Sequence, residues 1–240
     1  MLHGFAGTSR AFDAVCRALP PERCRPLALD LPGHGARNAQ SGRIDFAGCV
    51  AQVLAASPPR FVLCGYSQGG RIALHVALAA PQRIERLVLV SASAGIEDER
   101  ARDERRQADE RLAGEIERDG LAAFAERWRS QPLFAEEPPA VRAQASADHL
   151  RNTPQGLAAA LRGLGAGSMS PVWERLPELT MPVTLIAGER DARYCEIARR
   201  MAALLPIGES RIVAGGHGLL LENPAAVAAA IAGCERPLDD

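Results

Sequence analysis

Residues 61–73 read FVLCGYSQGGRIA, and this stretch decides the fold. A short apolar run ends at a Gly-x-Ser-x-Gly pentapeptide, after which the apolar spacing becomes helical, so the pattern predicts a strand, a sharp turn and a helix. The glycines on either side of Ser67 let the strand and the helix approach closely, and the turn exposes the serine hydroxyl. Ser67 is therefore the candidate nucleophile or base. A glycine-rich turn with an idle serine is the simpler alternative.

The composition favours one sizeable α/β domain and argues against several functions. The chain has 240 residues, enough for one hydrophobic core with an inserted subdomain. Its formal net charge of -1 gives no general attraction to nucleic acid. No apolar run approaches the roughly 20 residues of a membrane span, and no leader-like segment opens the sequence, so we expect a cytoplasmic protein.

The six cysteines show no ligand or disulfide pattern. They lack a Cys-x-x-Cys or Cys/His spacing, so we predict neither a metal site nor a disulfide framework. We expect small buried hydrophobic residues at Cys16, Cys24, Cys49, Cys64, Cys195 and Cys234. Lysine is absent, so all 28 basic residues are arginines, and genome composition is the simplest explanation for any one of them.

Strand and helix patterns alternate along most of the chain, which predicts parallel strands with helices on both faces. The predicted strands are 25–31, 61–64, 84–90, 182–187 and 210–213, and the predicted helices are 9–19, 45–57, 69–80, 195–205 and 223–234. A charged helical segment at 95–171 interrupts the alternation. Such a charge run is most often a solvated helix face. Its position instead predicts a helical lid over a core of residues 1–94 and 172–240.

Two further residues fall where they could act with Ser67. Asp191 and His217 each lie just beyond the end of a predicted strand, and the carboxyl ends of parallel strands share one edge of the sheet. The chain order serine, acid, histidine is that of the α/β-hydrolase fold. His217 would take the serine proton, and Asp191 would fix the imidazole tautomer. Asp30 is the weaker candidate acid because it precedes the serine.

A negative charge that develops on an oxygen beside Ser67 needs hydrogen-bond donors. The backbone amides of Gln68, directly after the serine, and of Phe5, in a glycine-spaced loop, are the candidates. We interpret the remaining histidines in loops and on helix faces as structural: His34, His75 and His149.

Several motifs of this sequence point to a family more specific than the fold. They are His3-Gly4-Phe5, Asp30 to Gly35, Gly65 to Arg71, Gly188 to Asp191 and Glu222-Asn223-Pro224, with Arg105, Asp109, Trp128, Pro132 to Phe134 and Arg151-Asn152 in the insert. Over nearly the whole chain, the sequence resembles the 2-succinyl-6-hydroxy-2,4-cyclohexadiene-1-carboxylate synthase (MenH) family of menaquinone biosynthesis. The resemblance implies a cofactor-free lyase that eliminates pyruvate from a small-molecule tricarboxylate. It also implies that Ser67 is the base and that the Phe5 and Gln68 amides hold an enolate oxygen.

The resemblance further implies which side chains bind the substrate. Guanidinium groups suit carboxylates because they form two parallel hydrogen bonds, and Arg71, Arg105 and Arg151 match the arginines of the family. Tyr66 and Trp128 match its pocket aromatics. Arg106 and Arg162 are the alternatives in the insert, and the positions that depart from the family pattern are Gln68, Arg129 and Leu220.

The beginning of the sequence departs as well. The family has further strands before His3, one of which lies beside the strand that corresponds to the predicted strand 61–64, whereas here only Met1 and Leu2 precede His3. Unpaired strand ladders in a buried place are costly, so we expect a fold truncated at its N-terminus, with a start too far downstream or a damaged product.

Two other functions stay open on the sequence alone. A serine carboxylester hydrolase would use the same triad through an acyl-enzyme, although small apolar substrates would not need several converging arginines. A non-catalytic binding protein on a hydrolase fold is the second. The shortened beginning favours it, and the intact triad argues against it.

Overall fold

The computed structural model describes residues 1–38 and 42–233. Its helices are α1 (Asp13–Ala18), α2 (Phe46–Ala56), α3 (Gln68–Ala79), α4 (Glu99–Arg129), α5 (Pro139–His149), α6 (Pro154–Leu164), α7 (Ala192–Leu204), α8 (Leu219–Glu222) and α9 (Pro224–Ala232). Its strands are β1 (Phe61–Tyr66), β2 (Ile84–Val90), β3 (Val183–Gly188) and β4 (Gly208–Val213). No helix in this part of the chain is long and apolar enough to cross a membrane.

The four strands of the described residues form one parallel sheet in the order β1-β2-β3-β4. Because parallel strands run in the same direction, their carboxyl ends meet at one edge. Ser67 directly follows β1, while Asp191 and His217 follow β3 and β4 within a few residues. The sheet thus places all three at the same edge.

Helices cover both faces of the sheet because successive strand side chains point to opposite sides. Leu87 and Leu89 of β2 pack with side chains of α2, α3 and α7 on one face. Val88 and Val90 pack with α1 and α9 on the other. This arrangement confirms the predicted α/β-hydrolase fold, with a parallel sheet between two helical layers.

Residues 25–31, predicted as a strand, do not form one. Leu29 makes only an isolated parallel bridge to Leu2, and Leu2 makes a second bridge to Gly65 of β1. A strand persists only where successive residues pair along a ladder, and here the neighbour supplies a single residue pair. Leu2 is nevertheless fully buried and fills the position between β1 and Leu29.

Most predicted helices are confirmed, with shifted ends. Asp45 caps α2 by accepting a hydrogen bond from the Gly48 amide at 2.8 Å, as predicted. The predicted helix 9–19 is instead a 3-10 turn over Ser9–Phe12 followed by α1, and its capping side chain is Thr8. The predicted end of α9 at Cys234 lies outside the described residues.

The segment between β2 and β3 contains α4, α5 and α6. Arg162 of α6 pairs with Glu110 and Glu117 of α4, which ties these two helices together. Phe124 of α4 packs in an apolar cluster against Phe5. This helical insert therefore covers the loop that carries one of the predicted oxyanion donors.

Candidate active site

Ser67 lies at the turn between β1 and α3 in a backbone conformation that serine rarely adopts. Its φ is 51° and its ψ is -109°, a conformation that costs a non-glycine residue on the order of 1–3 kcal/mol and persists only where the surroundings hold it. A β-carbon on Gly65 would collide with the Gly69 backbone, and one on Gly69 would collide with Leu2. Both glycines are needed for this close approach, which holds the serine at the edge of the sheet.

The structure brings Ser67, His217 and Asp191 into one hydrogen-bonded chain. The His217 Nε2 lies 3.2 Å from the Ser67 Oγ, and its Nδ1 lies 2.7 Å from the Asp191 Oδ2. A carboxylate only accepts, so Nδ1 carries the proton and Nε2 presents its lone pair to the serine hydroxyl. The arrangement can therefore take a proton from Ser67.

Other contacts hold the acid and the histidine in place. The Asp191 Oδ1 accepts a hydrogen bond from the Tyr194 amide at 3.3 Å, so the acid also caps α7. The Ser91 hydroxyl donates to the His217 carbonyl at 3.1 Å. Both loops are thus fixed independently of the bond between the two side chains.

Aromatic rings enclose the imidazole of His217. The ring centroids of Tyr194, Tyr66 and Phe134 lie 4.7, 5.6 and 5.8 Å from it. Burial raises the pKa of Tyr66, so its phenol stays neutral near pH 7. The His217 side chain is accordingly buried among these rings.

The predicted oxyanion donors belong to the residue after Ser67 and to a loop beside it, where a β-carbon on Gly4 would lie 3.5 Å from the Ser67 Cβ. Gln68 is the first residue of α3, and Phe5 belongs to a turn that the Gly7 amide closes on the Gly4 carbonyl at 3.1 Å. Within residues 1–38 and 42–233, no protein group accepts a hydrogen bond from the Phe5 or Gln68 amide. Both amides are available to an oxygen bound beside the serine.

A cavity of about 320 Å³ opens over these groups, a size typical of small-molecule sites. Asp191 lies behind His217 and does not line it. The other predicted site residues all line it: Phe5, Tyr66, Ser67, Gln68, Arg71, Arg105, Trp128, Arg151 and His217.

Arg71 carries a buried charge without a counter-ion in the described part of the chain. Its side chain donates one long hydrogen bond, 3.4 Å, to the Leu164 carbonyl, and its Nε has no partner. Burial lowers the pKa of the guanidinium group. A buried guanidinium group without a carboxylate is unfavourable, so this position is suited to an anion from outside the protein.

Arg105 and Arg151 line the cavity but already have carboxylate partners. The Arg105 Nε lies 2.7 Å from Asp109, and the Arg151 Nε lies 3.7 Å from Asp148. Their side chains remain 42% and 48% exposed, so each keeps donors free for a ligand. The two alternatives raised on the sequence do not line the cavity and pair with carboxylates elsewhere, namely Arg106 and Arg162.

Sequence reasoning missed a buried ion pair in the cavity wall. Arg129 pairs with Glu137, and its guanidinium group lies 4.0 Å from the centroid of the Phe134 ring. The departure at Arg129 was visible in the sequence, but Glu137 lies in a Glu-Glu-Pro-Pro run that is typical of a solvated turn. Two exposed arginines, Arg10 and Arg193, also line the cavity without having been predicted.

Two departures from the family pattern lie in the cavity wall as ordinary packing residues. Leu220 is buried, and the Gln68 side chain donates to the Leu164 carbonyl at 3.1 Å.

In the described residues, no group of three or more His, Cys, Asp or Glu side chains could hold a metal ion. Five cysteines are free thiols, Cys16, Cys24, Cys49, Cys64 and Cys195, and Cys234 lies outside the described residues.

Comparison with known proteins identifies the family of this chain. The model of the alpha/beta hydrolase family matches residues 1–230. A 2-succinyl-6-hydroxy-2,4-cyclohexadiene-1-carboxylate synthase from Klebsiella pneumoniae (strain 342) is 34% identical, and the match covers 96% of this chain and 90% of that protein. The chain belongs to this synthase family of α/β hydrolases.

Two further members agree with the assignment. The synthase of Salmonella agona (strain SL483) is 32% identical over 96% of this chain and 90% of its own length. The structure of MenH from S. aureus is 31% identical, superposes with a TM-score of 0.87, and covers 97% of this chain and 90% of that one. The likeness to the synthase family thus extends across both the sheet and the helical insert.

Proposed function

We propose that this protein is a lyase of menaquinone biosynthesis that eliminates pyruvate from 2-succinyl-5-enolpyruvyl-6-hydroxy-3-cyclohexene-1-carboxylate. The product is 2-succinyl-6-hydroxy-2,4-cyclohexadiene-1-carboxylate, the compound for which the related synthases are named. The observation that carries the proposal is the buried guanidinium group of Arg71, which has no carboxylate partner in the described residues, beside a serine, histidine and aspartate chain. A substrate with three carboxylates would supply an anionic partner for Arg71.

In the proposed reaction, Ser67 is a base rather than a nucleophile. His217 takes the serine proton, and the serine oxygen removes the acidic proton from the ring carbon that bears the succinyl ketone. The electron pair of that C–H bond forms a new ring double bond, the existing double bond shifts by one position, and the C–O bond to enolpyruvate breaks. The proton that His217 took from Ser67 passes to enolpyruvate, which leaves as pyruvate, while the abstracted proton stays on the serine oxygen. The site thereby returns to its starting state, and no acyl-enzyme forms.

The Phe5 and Gln68 amides would stabilise the charge that moves onto the ketone oxygen as the proton leaves. Neither amide has a protein acceptor in the described residues, so neither must break a bond to receive that oxygen. Donors fixed in advance stabilise a developing charge more effectively than mobile water does.

The arginines would hold the substrate so that its acidic C–H faces Ser67. Arg71, buried against the turn, is suited to the carboxylate nearest the reacting carbon, while Arg105 and Arg151 are partly exposed in the insert and suit more distant carboxylates. Tyr66 and Trp128 would pack against the ring. The helical insert would act as a lid that keeps water away from the enolate.

The alternatives agree less well with the cavity. A neutral ester would leave the buried charge of Arg71 without a counter-ion from the described residues or the substrate, which disfavours a carboxylester hydrolase. A non-catalytic binding protein would not need His217 held between Ser67 and Asp191 at hydrogen-bond distances. The proposal includes a cytoplasmic location, which the free thiols support because reduced cysteines are typical of that compartment.

The direct test supplies the enolpyruvyl substrate and follows pyruvate release, with a nitrophenyl ester assayed in parallel. We expect fast pyruvate release and slow ester cleavage. Fast ester turnover without pyruvate would replace the lyase by a hydrolase, and no turnover of either substrate would favour a binding protein.

A further inference from the structure

The turn that carries the Phe5 amide contains a strained residue. Phe5 and Ala6 are the central residues of the turn that the Gly7 amide closes on the Gly4 carbonyl. Ala6 has a φ of 63°, in the region where turns favour glycine. Such a conformation persists only where neighbouring groups hold it.

Two side chains hold Ala6 from opposite sides. The Ala6 amide donates to the His34 Nε2 at 3.3 Å, and the Ala6 carbonyl accepts from the Asn152 Nδ2 at 2.7 Å. His34 belongs to the loop after Leu31, near the sheet, whereas Asn152 belongs to the helical insert. The Ala6 amide belongs to the Phe5–Ala6 peptide and the Ala6 carbonyl to the Ala6–Gly7 peptide, so the sheet region and the insert each fix one of the two peptides that follow Phe5.

Asn152 is fully engaged in this role. It lies between α5 and α6 and is only 6% exposed. Its Nδ2 also donates to the His149 carbonyl at 3.0 Å, and its Oδ1 accepts from the Gly35 amide at 2.9 Å. Both amide hydrogens and the carbonyl oxygen have partners, so the side chain has one fixed orientation.

We infer that Asn152 is a positioning residue that aims the Phe5 amide at the enolate oxygen. The inference rests on the proposed role of that amide as an oxyanion donor. Arg151, the preceding residue, lines the cavity, so a carboxylate bound there orders the same loop that holds Ala6. Substrate binding at the insert is in this way coupled to the geometry of the oxyanion site.

The test compares Asn152→Ala and Asn152→Asp with a matched control, Asn38→Ala. Asn38 bonds the same loop, through the Arg151 carbonyl and the Thr153 amide at 3.2 Å each, but has no hydrogen bond to Ala6. We expect both Asn152 variants to lower kcat for pyruvate release roughly 10- to 100-fold with KM within about twofold, because donor misplacement acts on the transition state. Asn152→Asp, which keeps the shape but loses the donor, should behave like the alanine variant.

Thermal unfolding separates positioning from general loosening of the loop. Asn152→Ala and Asn38→Ala each remove two or more hydrogen bonds, so both should lower Tm, while only the Asn152 variants should lower kcat. Equal losses of kcat in Asn152→Ala and Asn38→Ala, no loss in either, or a loss confined to KM would overturn the inference.

A turnover-independent measurement keeps this result separate from the proposed function. Phenylboronic acid binds through its boron atom to the Ser67 oxygen, the serine proton passes to His217, and a boronate oxygen then occupies the oxyanion site. Asn152→Ala should weaken this binding by about tenfold and Asn38→Ala should not. If the wild type binds the boronate but releases no pyruvate, the lyase proposal fails. Equal boronate affinities in wild type and Asn152→Ala would refute the role of Asn152.

Discussion

The edge of the sheet and the helical insert contribute to the cavity in different ways. At the sheet edge, each role in proton transfer is taken by one residue, and each residue lies just beyond the end of a strand. These residues are Ser67, Asp191 and His217. In the insert, several arginines compete for acidic partners, and tertiary packing decides which keep free donors. The comparison teaches that the ends of the strands position the side chains for proton transfer. Substrate recognition depends instead on how the insert folds over the sheet.

Replacing the base should have the largest effect. Ser67→Ala removes the oxygen that contacts the His217 Nε2, and we expect kcat for pyruvate release to fall by about 10³-fold or more. Ser91→Ala is the matched comparison, since the Ser91 hydroxyl donates to the His217 carbonyl and not to its imidazole. A steady-state assay in which Ser91→Ala loses as much as Ser67→Ala would place the chemistry elsewhere.

Arg71 should give the next largest effect, and in opposite directions for activity and stability. Arg71→Met removes the proposed carboxylate partner, so kcat/KM should fall by an amount equivalent to about 2–4 kcal/mol. It also removes a buried charge that has no counter-ion in the described residues, so Tm should stay constant or rise. Pyruvate kinetics and thermal unfolding measure the two effects. An unchanged kcat/KM would show that Arg71 does not bind a carboxylate of the substrate.

Acid should lower the stability of both regions, because each contains a buried histidine. Burial, followed by the charge of His3, lowers the pKa of His34 near the sheet to about 3, and burial, followed by Arg129, lowers the pKa of His149 in the insert to about 3. Unfolded histidines titrate near 6.5, so the unfolded chain binds more protons below that pH. Stability is therefore fully present above about pH 6.5 and decreases as the pH falls towards 3.

His149→Phe sharpens this prediction. Each buried histidine should contribute a loss of about 2 kcal/mol between pH 6.5 and 5, so the variant should lose that much less than the wild type over the same interval. Urea unfolding at the two pH values measures the difference. An identical pH dependence in wild type and variant would mean that His149 takes up a proton in the folded protein as readily as in the unfolded chain over this interval.

The smallest effect should distinguish two neighbouring arginines of α4. Arg105 lines the cavity, but its guanidinium group also pairs with Asp109, which weakens its attraction for a substrate carboxylate. Arg105→Gln should therefore lower kcat/KM about fivefold, mainly through a higher KM. Arg106 pairs with Asp103 away from the cavity, and Arg106→Gln should remain within twofold of wild type. The reverse order would show that the insert folds over the substrate differently from this structure.

The positions at the sheet edge could be predicted because local rules place them. The pentapeptide around Ser67 specifies a turn by sterics, and residues after parallel strands must share an edge. Arg71 follows from helical periodicity, four residues after Ser67. These inferences need no knowledge of which distant segments meet.

The insert could not be predicted to the same depth because its contacts are non-local. Three features depend on how the helices pack, which the periodicity of the sequence does not encode. They are the pairing of Arg129 with Glu137, the hydrogen bond from Asn152 to Ala6 and the kink of α4 at Gly120 (φ 79°). The strand predicted at 25–31 failed for a related reason, since its apolar alternation was present but the neighbouring segment pairs through one residue only.

The central claim is that Ser67 acts as a base and never carries an acyl group. A single turnover with stoichiometric enzyme, quenched at intervals and examined by intact-mass spectrometry alongside pyruvate assay, tests it most directly. The account predicts that pyruvate reaches the amount of enzyme while the protein mass stays unchanged throughout. A mass increase located on Ser67, or full substrate consumption without pyruvate, would contradict it.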